Sequence, residues 1–298
     1  MSTYVLEHKT TSEDCGLGSV YWQKLQLDAQ VSTYLVGARS LGHEPDGVLY
    51  DVLRKPALRP YEAGKTRKVA ETPEEYRDRC MAAIVEKPDA YYQRGIIVRL
   101  EQEEIDAAFD VWQTAEAIRM SRNAQRWPRN VDSCEQYHRL CDYWAVCSGQ
   151  TMVDDPLYYQ HEPSTLAKVK LPLLSVSSAR TYRACPRRYY YSSELRMRPR
   201  RKAESLSFGT TIHKALEVWL PGHDLDAALS AVRPDAYDFN AAKAEAMLRG
   251  YHARWDGEAM TVLGVEAEFA APLVNPETGY PSRTWMLGGK LDGIVQKS

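Results

Sequence analysis

Two residues near the start of the sequence, Glu7 and Lys9, have the chemistry of a metal-assisted phosphate site. They lie in the stretch YVLEHKTTSED, residues 4–14, just after a short apolar run. If this stretch is a β-strand, alternate residues share a face, so the two side chains point the same way. A carboxylate and an ammonium group side by side could hold a metal ion and a phosphate oxygen. Two residues do not make an active site, so the other groups must come from elsewhere in the chain.

Three further segments contain residues that suit such a site, and each has a plain structural alternative. Asp292 lies within the apolar stretch LGGKLDGIV, where a carboxylate costs free energy unless it is paired or binds a cation, although it could equally be a strand-end residue in a turn. His213 and Glu217 share one helical face in GTTIHKALE, but a lone histidine on an apolar helix is more often a core residue. Gln30 and Tyr34 have the same spacing and, taken alone, form an ordinary amphipathic pair.

A basic and aromatic segment, which begins at CPRRYYY, could bind nucleic acid. Cationic side chains suit phosphates, and aromatic rings suit unstacked bases. A solvated charged loop has the same composition, so this alternative stays open. The candidate DNA-binding residues are Arg187, Arg188, Tyr189, Arg198, Arg200 and Arg201.

The six cysteines favour a metal or cluster site over disulfide bonds. The polar first residues lead us to expect no secretory signal, and without one a disulfide framework is a poor fit to these cysteines. Cys134, Cys141 and Cys147 fall within fourteen residues, with spacings unlike the Cys-x-x-Cys pairs common at structural zinc sites. Free buried cysteines are the alternative, and Cys15 and Cys80 are expected simply to pack in the interior.

Length and composition are those of an ordinary soluble protein. The chain has 298 residues, 44% hydrophobic and 26% charged, which allows one large α/β domain or two smaller ones. Its net charge is only −2, so any nucleic-acid surface must be a local patch. The first residues are polar, and no stretch approaches the ~18 apolar residues of a membrane span. The expectation is a cytoplasmic protein.

Hydrophobic periodicity and turn residues predict a chain that mixes strands with helices. The segment 149–172 is polar, aromatic and contains prolines, which indicates a connection between two parts of the chain. The predicted strands are 4–10, 47–53, 96–100, 261–271 and 284–296, and the predicted helices are 22–41, 73–86, 101–123, 209–220 and 240–255.

Taken together, four of these segments resemble the PD-(D/E)XK nuclease superfamily, and within it the RecB-like branch that includes phage exonucleases and CRISPR-adaptation nucleases. That branch has a Gly-x-x-x-His helix, an Asp after a Gly on a strand, an (Asp/Glu)-x-Lys strand and a Gln-x-x-x-Tyr helix. The matching segments here are Gly209–His213, Asp292 in GGKLDGIV, Glu7–Lys9 and Gln30–Tyr34. The resemblance implies a restriction-endonuclease-like α/β core, in which helices flank a mixed central β-sheet, with a subdomain built around four cysteines.

The motifs stand in a different order from that of the family. The family runs from the His helix through the Asp strand to the (Asp/Glu)-x-Lys strand, whereas this chain begins at the last of these. The resemblance therefore implies a circular permutation, cut in the hairpin between the two central catalytic strands, at a loop tip where such a cut is tolerated. Residues 1–148 would be the C-terminal half of the core, 149–172 the connecting segment and 173–298 the N-terminal half.

The same order of motifs could arise in two ways besides permutation. The chain could carry halves of two tandem nucleases and complete its site between chains in a swapped homodimer. It could also be an artefact of gene assembly. The spacing of the motifs does not separate the three origins.

The same resemblance implies the metal ligands. His213, Asp292 and Glu7, with the backbone carbonyl of His8, would bind Mg²⁺ or Mn²⁺, because carboxylate oxygens fit hard divalent cations and an imidazole favours Mn²⁺ somewhat. A structural [4Fe–4S] cluster is also implied, since four thiolates suit one, with Zn²⁺ as the alternative. Its ligands would be Cys134, Cys141, Cys147 and Cys185.

The remaining motif residues would assist hydrolysis of a phosphodiester bond. Lys9 would orient the attacking water or stabilise charge in the transition state, and Gln30 and Tyr34 would position the DNA strand or the lysine. The implied activity is that of a metal-dependent DNA exonuclease, bacterial or phage-encoded, which acts on single strands or DNA ends in recombination, repair or phage DNA processing, with a helicase or recombinase as partner. The alternative is a catalytically silent DNA-binding subunit that retains the nuclease fold.

Overall fold

The computed structural model describes residues 1–64, 68–136, 139–162, 171–200, 204–233 and 237–297, with only the backbone of 204–206. Strands and helices alternate along most of this chain. The strands are β1 (Ser2–Thr11), β2 (Gly47–Arg54), β3 (Tyr92–Ile97), β4 (Glu135–Gln136), β5 (Arg139–Leu140), β6 (Tyr159–His161), β7 (Leu173–Leu174), β8 (Met197–Pro199), β9 (Met260–Val274) and β10 (Pro281–Lys297). The helices are α1 (Val20–Leu25), α2 (Ala29–Ser40), α3 (Pro73–Glu86), α4 (Glu101–Ala124), α5 (Trp144–Cys147), α6 (Val176–Ala184), α7 (Pro186–Tyr189), α8 (Glu204–Trp219), α9 (Leu225–Val232) and α10 (Phe239–Trp255).

The predicted fold class is confirmed as mixed α/β, with a central mixed sheet flanked by helices. The strands of this sheet lie in the order β3-β2-β1-β10-β7, and β9 also pairs with β10. β1 runs parallel to β2 and antiparallel to β10, while β3 is antiparallel to β2. β1 therefore lies between the strand that follows it in sequence and the last strand of the chain.

The chain forms two compact units, each built from separate stretches of sequence. Unit 1 consists of Met1–Val98, Ala203–Glu268 and Lys290–Ser298, and unit 2 of Arg99–Lys202 and Phe269–Gly289. The proposed division into 1–148, 149–172 and 173–298 concerns the order of motifs along the chain and stays a prediction. Part of the connecting segment, 163–170, lies outside the described residues.

Unit 1 has its main apolar core where α3, α8, α9 and α10 pack together, around Tyr76, Trp219 and Tyr251. A smaller cluster consists of Leu6 on β1, Leu49 on β2, Val295 on β10 and Leu220, the residue after α8. In β2 the first seven residues are all buried, which is the pattern of a strand covered on both faces. β2, the parallel neighbour of the strand that carries Glu7 and Lys9, is thus covered from both sides.

Unit 2 contains α4, α6 and the cysteine-rich segment. Its apolar cluster is built from Tyr143, Val146, Tyr159, Tyr191 and Met197. In this unit β7 pairs in parallel with the first part of β10, and β6 pairs antiparallel with β8. Each of these two pairings covers only two or three residues, whereas the longer strands β9 and β10, which pair with each other, also contribute residues to this unit.

Local sequence signals explain where several helices begin. Pro73 opens α3, and the hydroxyl of Thr72 caps it, while Glu75 bonds back to the Thr72 backbone in a capping box. The prediction of one helix over 22–41 is wrong, because the segment forms two helices, α1 and α2. The carboxylate of Asp28 accepts a hydrogen bond from Gln30 N and so starts a new helix where the periodicity had suggested a continuous one. No helix in the described ranges is long and apolar enough to cross a membrane.

Candidate active site

The two central strands β1 and β10 separate at the candidate catalytic carboxylates. They pair antiparallel as far as Leu6 and Gly293. One position further, the Asp292 side chain turns inward, and its Oδ2 accepts a hydrogen bond from the His8 backbone N–H at 2.9 Å. This carboxylate takes the place of a strand carbonyl as acceptor, and Glu7 lies on the facing strand at the same level. The two carboxylates therefore lie at the point where the pairing of β1 with β10 ends.

The Glu7 carboxylate is almost completely buried and has two unequal oxygens. Its side chain is 2% exposed. Oε1 forms an ion pair with Lys9 Nζ and accepts a hydrogen bond of 2.9 Å from Gln30 Nε2, which also contacts Tyr34 Oη at 2.7 Å. Oε2 is buried with no hydrogen-bond partner among the described residues. A buried anionic oxygen without a partner is costly, so Oε2 is the atom best suited to a cation.

The glycine of the Gly-x-x-x-His motif lets α8 approach the catalytic strand. A Cβ built on Gly209 would lie 3.3 Å from Thr10 Oγ1, tighter than most such contacts. One turn later, His213 Nδ1 lies 3.3 Å from Asp292 Oδ2. Residues four apart lie on the same face of a helix, so His213 is on the face of α8 that approaches β1 at Gly209. From there its imidazole reaches the Asp292 carboxylate on β10.

Glu7 and Asp292 have pKa values shifted in opposite directions. Burial and the nearby charge of Asp292 raise the pKa of Glu7 to about 7. Burial opposes ionisation of Asp292 too, but its hydrogen bond to His213 and the charges of His8 and His213 outweigh this and lower its pKa. The negative charge therefore resides first on Asp292, and Glu7 becomes a full anion only near neutral pH.

These residues fit a hard divalent cation in their chemistry, although the arrangement is not a closed ligand set. Within the described residues, no three His, Cys, Asp or Glu side chains are placed as a formed metal site. Lys9 and Gln30 engage one oxygen of Glu7 and leave the other without a partner. Two carboxylates, one imidazole and a buried unpartnered oxygen are groups that Mg²⁺ or Mn²⁺ can use.

Replacing Glu7 with glutamine is expected to stabilise the metal-free protein near neutral pH. Because folding raises the pKa of Glu7 from 4.5 to about 7, wild type loses stability as the pH rises through this interval. The glutamine variant avoids this loss, which amounts to about 3 kcal/mol at ~1.4 kcal/mol per pKa unit. Thermal unfolding in EDTA between pH 4 and pH 8 measures the difference.

The matched control is Glu13→Gln, since Glu13 is an exposed carboxylate a few residues beyond Glu7 in the sequence. It should follow wild type at every pH. Addition of Mn²⁺ should raise the melting temperature of wild type and of this control, but not that of Glu7→Gln. If the melting temperatures of wild type and Glu7→Gln changed with pH in the same way, Glu7 would have an ordinary pKa.

Sequence reasoning missed a buried polar network that begins at the His8 side chain. His8 Nε2 lies 3.3 Å from Tyr251 Oη, and this hydroxyl also bonds to the fully buried Asp51. Arg94 Nη2 donates to Asp51 Oδ2 at 2.6 Å, and Arg94 forms a further ion pair with Glu258. The signal was present in GVLYDVL, where Asp51 interrupts an apolar strand as Asp292 does in LGGKLDGIV. The network joins β1, β2, β3 and α10 behind the carboxylates.

The predicted DNA-binding residues lie in unit 2, and several are engaged there. Tyr189 is 2% exposed and stacks on Trp127, which argues against direct contact of Tyr189 with DNA. Arg187 Nε donates to the Trp127 carbonyl at 2.8 Å. Arg198 donates to the Ser192 carbonyl and lies 3.0 Å from Glu162, Arg200 donates to the Pro156 carbonyl, and Arg201 lies outside the described residues.

The four cysteines assigned to a cluster also lie in unit 2, all within described ranges. The charge of Cys134 interacts with those of Cys147 and Cys185, and Cys141 interacts with Cys185 and with Arg188. Burial is the main cause that raises the pKa of Cys134 and Cys141. These thiols are thus near enough to influence one another, yet no three of them are placed as metal ligands.

Comparison with known protein families found similarity to a nuclease superfamily over the last part of the chain. A family model described as the PD-(D/E)XK nuclease superfamily matches residues 173–298. This range includes His213 and Asp292 but not Glu7 and Lys9. No curated protein and no solved structure gave a significant match. The central mixed sheet flanked by helices is consistent with the restriction-endonuclease-like fold of this superfamily, and residues 173–298 are similar in sequence to its domain.

Proposed function

We propose that this protein is a Mg²⁺- or Mn²⁺-dependent deoxyribonuclease. The observation that carries the proposal is that unit 1 brings Glu7, Lys9, Asp292 and His213 to one point, where β1 and β10 separate. These residues come from both ends and the middle of the sequence. A chance similarity of sequence segments would not require them to converge on one buried pair of carboxylates.

A divalent cation bound at this site and the ammonium group of Lys9 would both act on the scissile phosphate. A divalent cation held by Glu7, Asp292 and His213 would supply positive charge to the phosphate and lower the pKa of the attacking water. Lys9 is 31% exposed while its ammonium contacts Glu7, so it can reach a substrate oxygen and stabilise the charge that develops there.

The surrounding groups hold the two carboxylates in place. The Gln30 amide binds one oxygen of Glu7 and the Tyr34 hydroxyl, which fixes the orientation of the carboxylate and leaves its other oxygen without a hydrogen-bond partner among the described residues. The His8 backbone N–H fixes Asp292 in the same way. This arrangement prepares the site before substrate arrives. A metal contact from the His8 carbonyl remains part of the proposal.

We further propose that the core is circularly permuted and that its site closes within one chain. β1 and β10 pair antiparallel with Ser2 opposite Lys297, as the two arms of one hairpin would. All six motif side chains lie in unit 1 of a single chain, which supports this arrangement over a swapped homodimer.

The cysteine set is proposed to bind a structural [4Fe–4S] cluster, with Zn²⁺ as the alternative. The support is the mutual influence of Cys134, Cys141, Cys147 and Cys185 within unit 2. Ligation would require the thiols to lose their protons, because metals bind the thiolate. The iron and zinc content of anaerobically purified protein tests the assignment.

The finer activity follows from the RecB-like resemblance of the motifs. On this basis the protein is a cytoplasmic exonuclease, which acts on single strands or DNA ends in recombination, repair or phage DNA processing beside a helicase or recombinase. An exonuclease needs an end, so linear and covalently closed DNA should behave differently.

Cleavage of these two DNA forms by anaerobically purified protein tests the function. Linear DNA should be degraded in Mg²⁺ or Mn²⁺ and left intact in EDTA, while covalently closed circles resist. Cleavage of the circles would show endonuclease action instead. If the protein binds DNA but cleaves neither form in either metal, the result would contradict the nuclease proposal and favour a catalytically silent DNA-binding subunit.

A further inference from the structure

Two lysines of unit 1, Lys55 and Lys243, lie near each other without a carboxylate partner in the part of the chain that the structure describes. Lys55 follows β2 directly, and Lys243 is in the first turns of α10. Both side chains are half-buried. Burial, and then the positive charge of Lys243, lowers the pKa of Lys55. Two like charges held together in a partly desolvated place cost free energy, which a bound anion would recover.

These lysines adjoin two cavities of about 230 and 390 Å³, which share Asp238 and Asn240 in their walls. Phe208 lines the first cavity, and Lys55 Nζ lies 5.5 Å from the centre of its ring. We call the two cavities together the α8–α10 groove. They provide room for a ligand beside the paired cations.

The second cavity also carries positive charge and an apolar wall. Its lining includes Lys243, Arg59 and Tyr76, and Lys243 Nζ lies 5.8 Å from the Tyr76 ring. The carboxylate of Asp238 lines both cavities, but it accepts a hydrogen bond from Ala241 N and caps α10. The groove thus combines cations with apolar surface, as a strand of alternating phosphates and sugars would require.

The groove begins close to the catalytic residues of the same unit. The Lys55 backbone N–H bonds to the Thr11 carbonyl at 2.8 Å, two residues beyond Lys9 on β1. Lys55 therefore lies just beyond the end of β1 that carries Lys9. A polymer whose phosphate reaches Lys9 can continue past this end of the strand towards the groove.

We propose that the α8–α10 groove binds a single-stranded segment of DNA next to the scissile phosphate, with backbone phosphates at Lys55 and Lys243. The assignment rests on the proposed nuclease function for its position along the substrate. Half-buried cations beside cavities of this size accept a strand that can enter the groove, whereas the phosphates of a duplex stay on the surface of a broad cylinder. The ligand class is thus single-stranded DNA.

Binding of a labelled oligothymidylate in EDTA tests the groove without hydrolysis. Lys55→Gln/Lys243→Gln should weaken binding on the order of tenfold and reduce the slope of log K against log[salt] by about 1.4, since each single-strand phosphate contact contributes about 0.7. The control Lys24→Gln/Lys68→Gln removes the same charge from exposed lysines of unit 1 and should change neither quantity appreciably. Because the groove variant loses a like-charge repulsion, it should melt no earlier than wild type.

These outcomes test DNA binding by the groove independently of the nuclease activity. If the groove variant and the control bind DNA equally well, the groove is not a DNA-binding site, whether or not wild type cleaves DNA. A loss confined to the groove variant would support it even if wild type cleaves nothing. An equal loss for duplex and single-stranded DNA would overturn the single-strand assignment.

Discussion

Replacing Lys9 with alanine is expected to reduce DNA cleavage by about 10²- to 10³-fold while the protein remains folded. The size follows from the loss of one charged donor that stabilises the transition state. Lys9 is 31% exposed and lies at the edge of the buried site, so its truncation leaves no large cavity. The measurement is single-turnover cleavage of labelled linear DNA in Mn²⁺, together with DNA affinity in EDTA.

DNA affinity is expected to change far less than the rate, since Lys9 acts on the reacting phosphate and not along the strand. Lys24→Ala, which removes an exposed lysine of the same unit, is the matched control and should leave both values close to wild type. A Lys9 variant that cleaves at the wild-type rate would remove Lys9 from the catalytic set. A rate loss that only mirrors weaker binding would make Lys9 a binding residue.

DNA cleavage by a mixture of the Lys9→Ala and Asp292→Ala proteins shows whether the active site is completed within one chain or between two chains. If one chain supplies the whole site, every site in the mixture carries a defect, and activity stays low. Recovered activity would require one chain to lend Asp292 and another Lys9, as in a swapped homodimer. The pairing of β1 with β10 in a single chain leads us to expect no recovery.

Replacing Arg94 with methionine is expected to destabilise the protein by about 3–5 kcal/mol, because it leaves a buried charge without its partner. Arg94 is 5% exposed and pairs with Asp51, which has no exposed surface. The guanidinium also lies 4.0 Å from the centre of the Trp255 ring. Methionine keeps most of the packing, so the loss reports on the charge. Urea unfolding followed by tryptophan fluorescence measures it.

Arg254→Met is a closely matched control for this variant. Arg254 also pairs with an aspartate, Asp89, and lies 5.2 Å from the same Trp255 ring, but its side chain is 39% exposed. Exposed ion pairs contribute about 0–1 kcal/mol, so this variant should lose little stability. Equal losses for Arg94→Met and Arg254→Met would mean that burial of the network does not matter. The double variant Arg94→Met/Asp51→Leu should lose less than the two single losses added together.

The sequence by itself determined the chemistry available at the site and much of its local geometry. Period-two alternation placed Glu7 and Lys9 on one face of β1, and the four-residue spacing in GTTIHKALE put His213 one helical turn from Gly209. The α3 helix has the bounds expected from its Pro-Glu-Glu start. These features depend on neighbours within a few residues, which is why a pattern in the sequence can predict them.

Only the tertiary structure decided which groups are buried together. Burial of Glu7 and its proximity to Asp292 raise the pKa of Glu7, and both depend on strands from opposite ends of the chain. The contact between Asp51 and Arg94 likewise joins separate strands. Periodicity in the sequence indicates which face of an element is buried, but not which distant residues or charges meet there, because these contacts join parts of the chain that are far apart in sequence. For the same physical reason, no spacing in the sequence could place Lys55 beside a helix that begins nearly two hundred residues later.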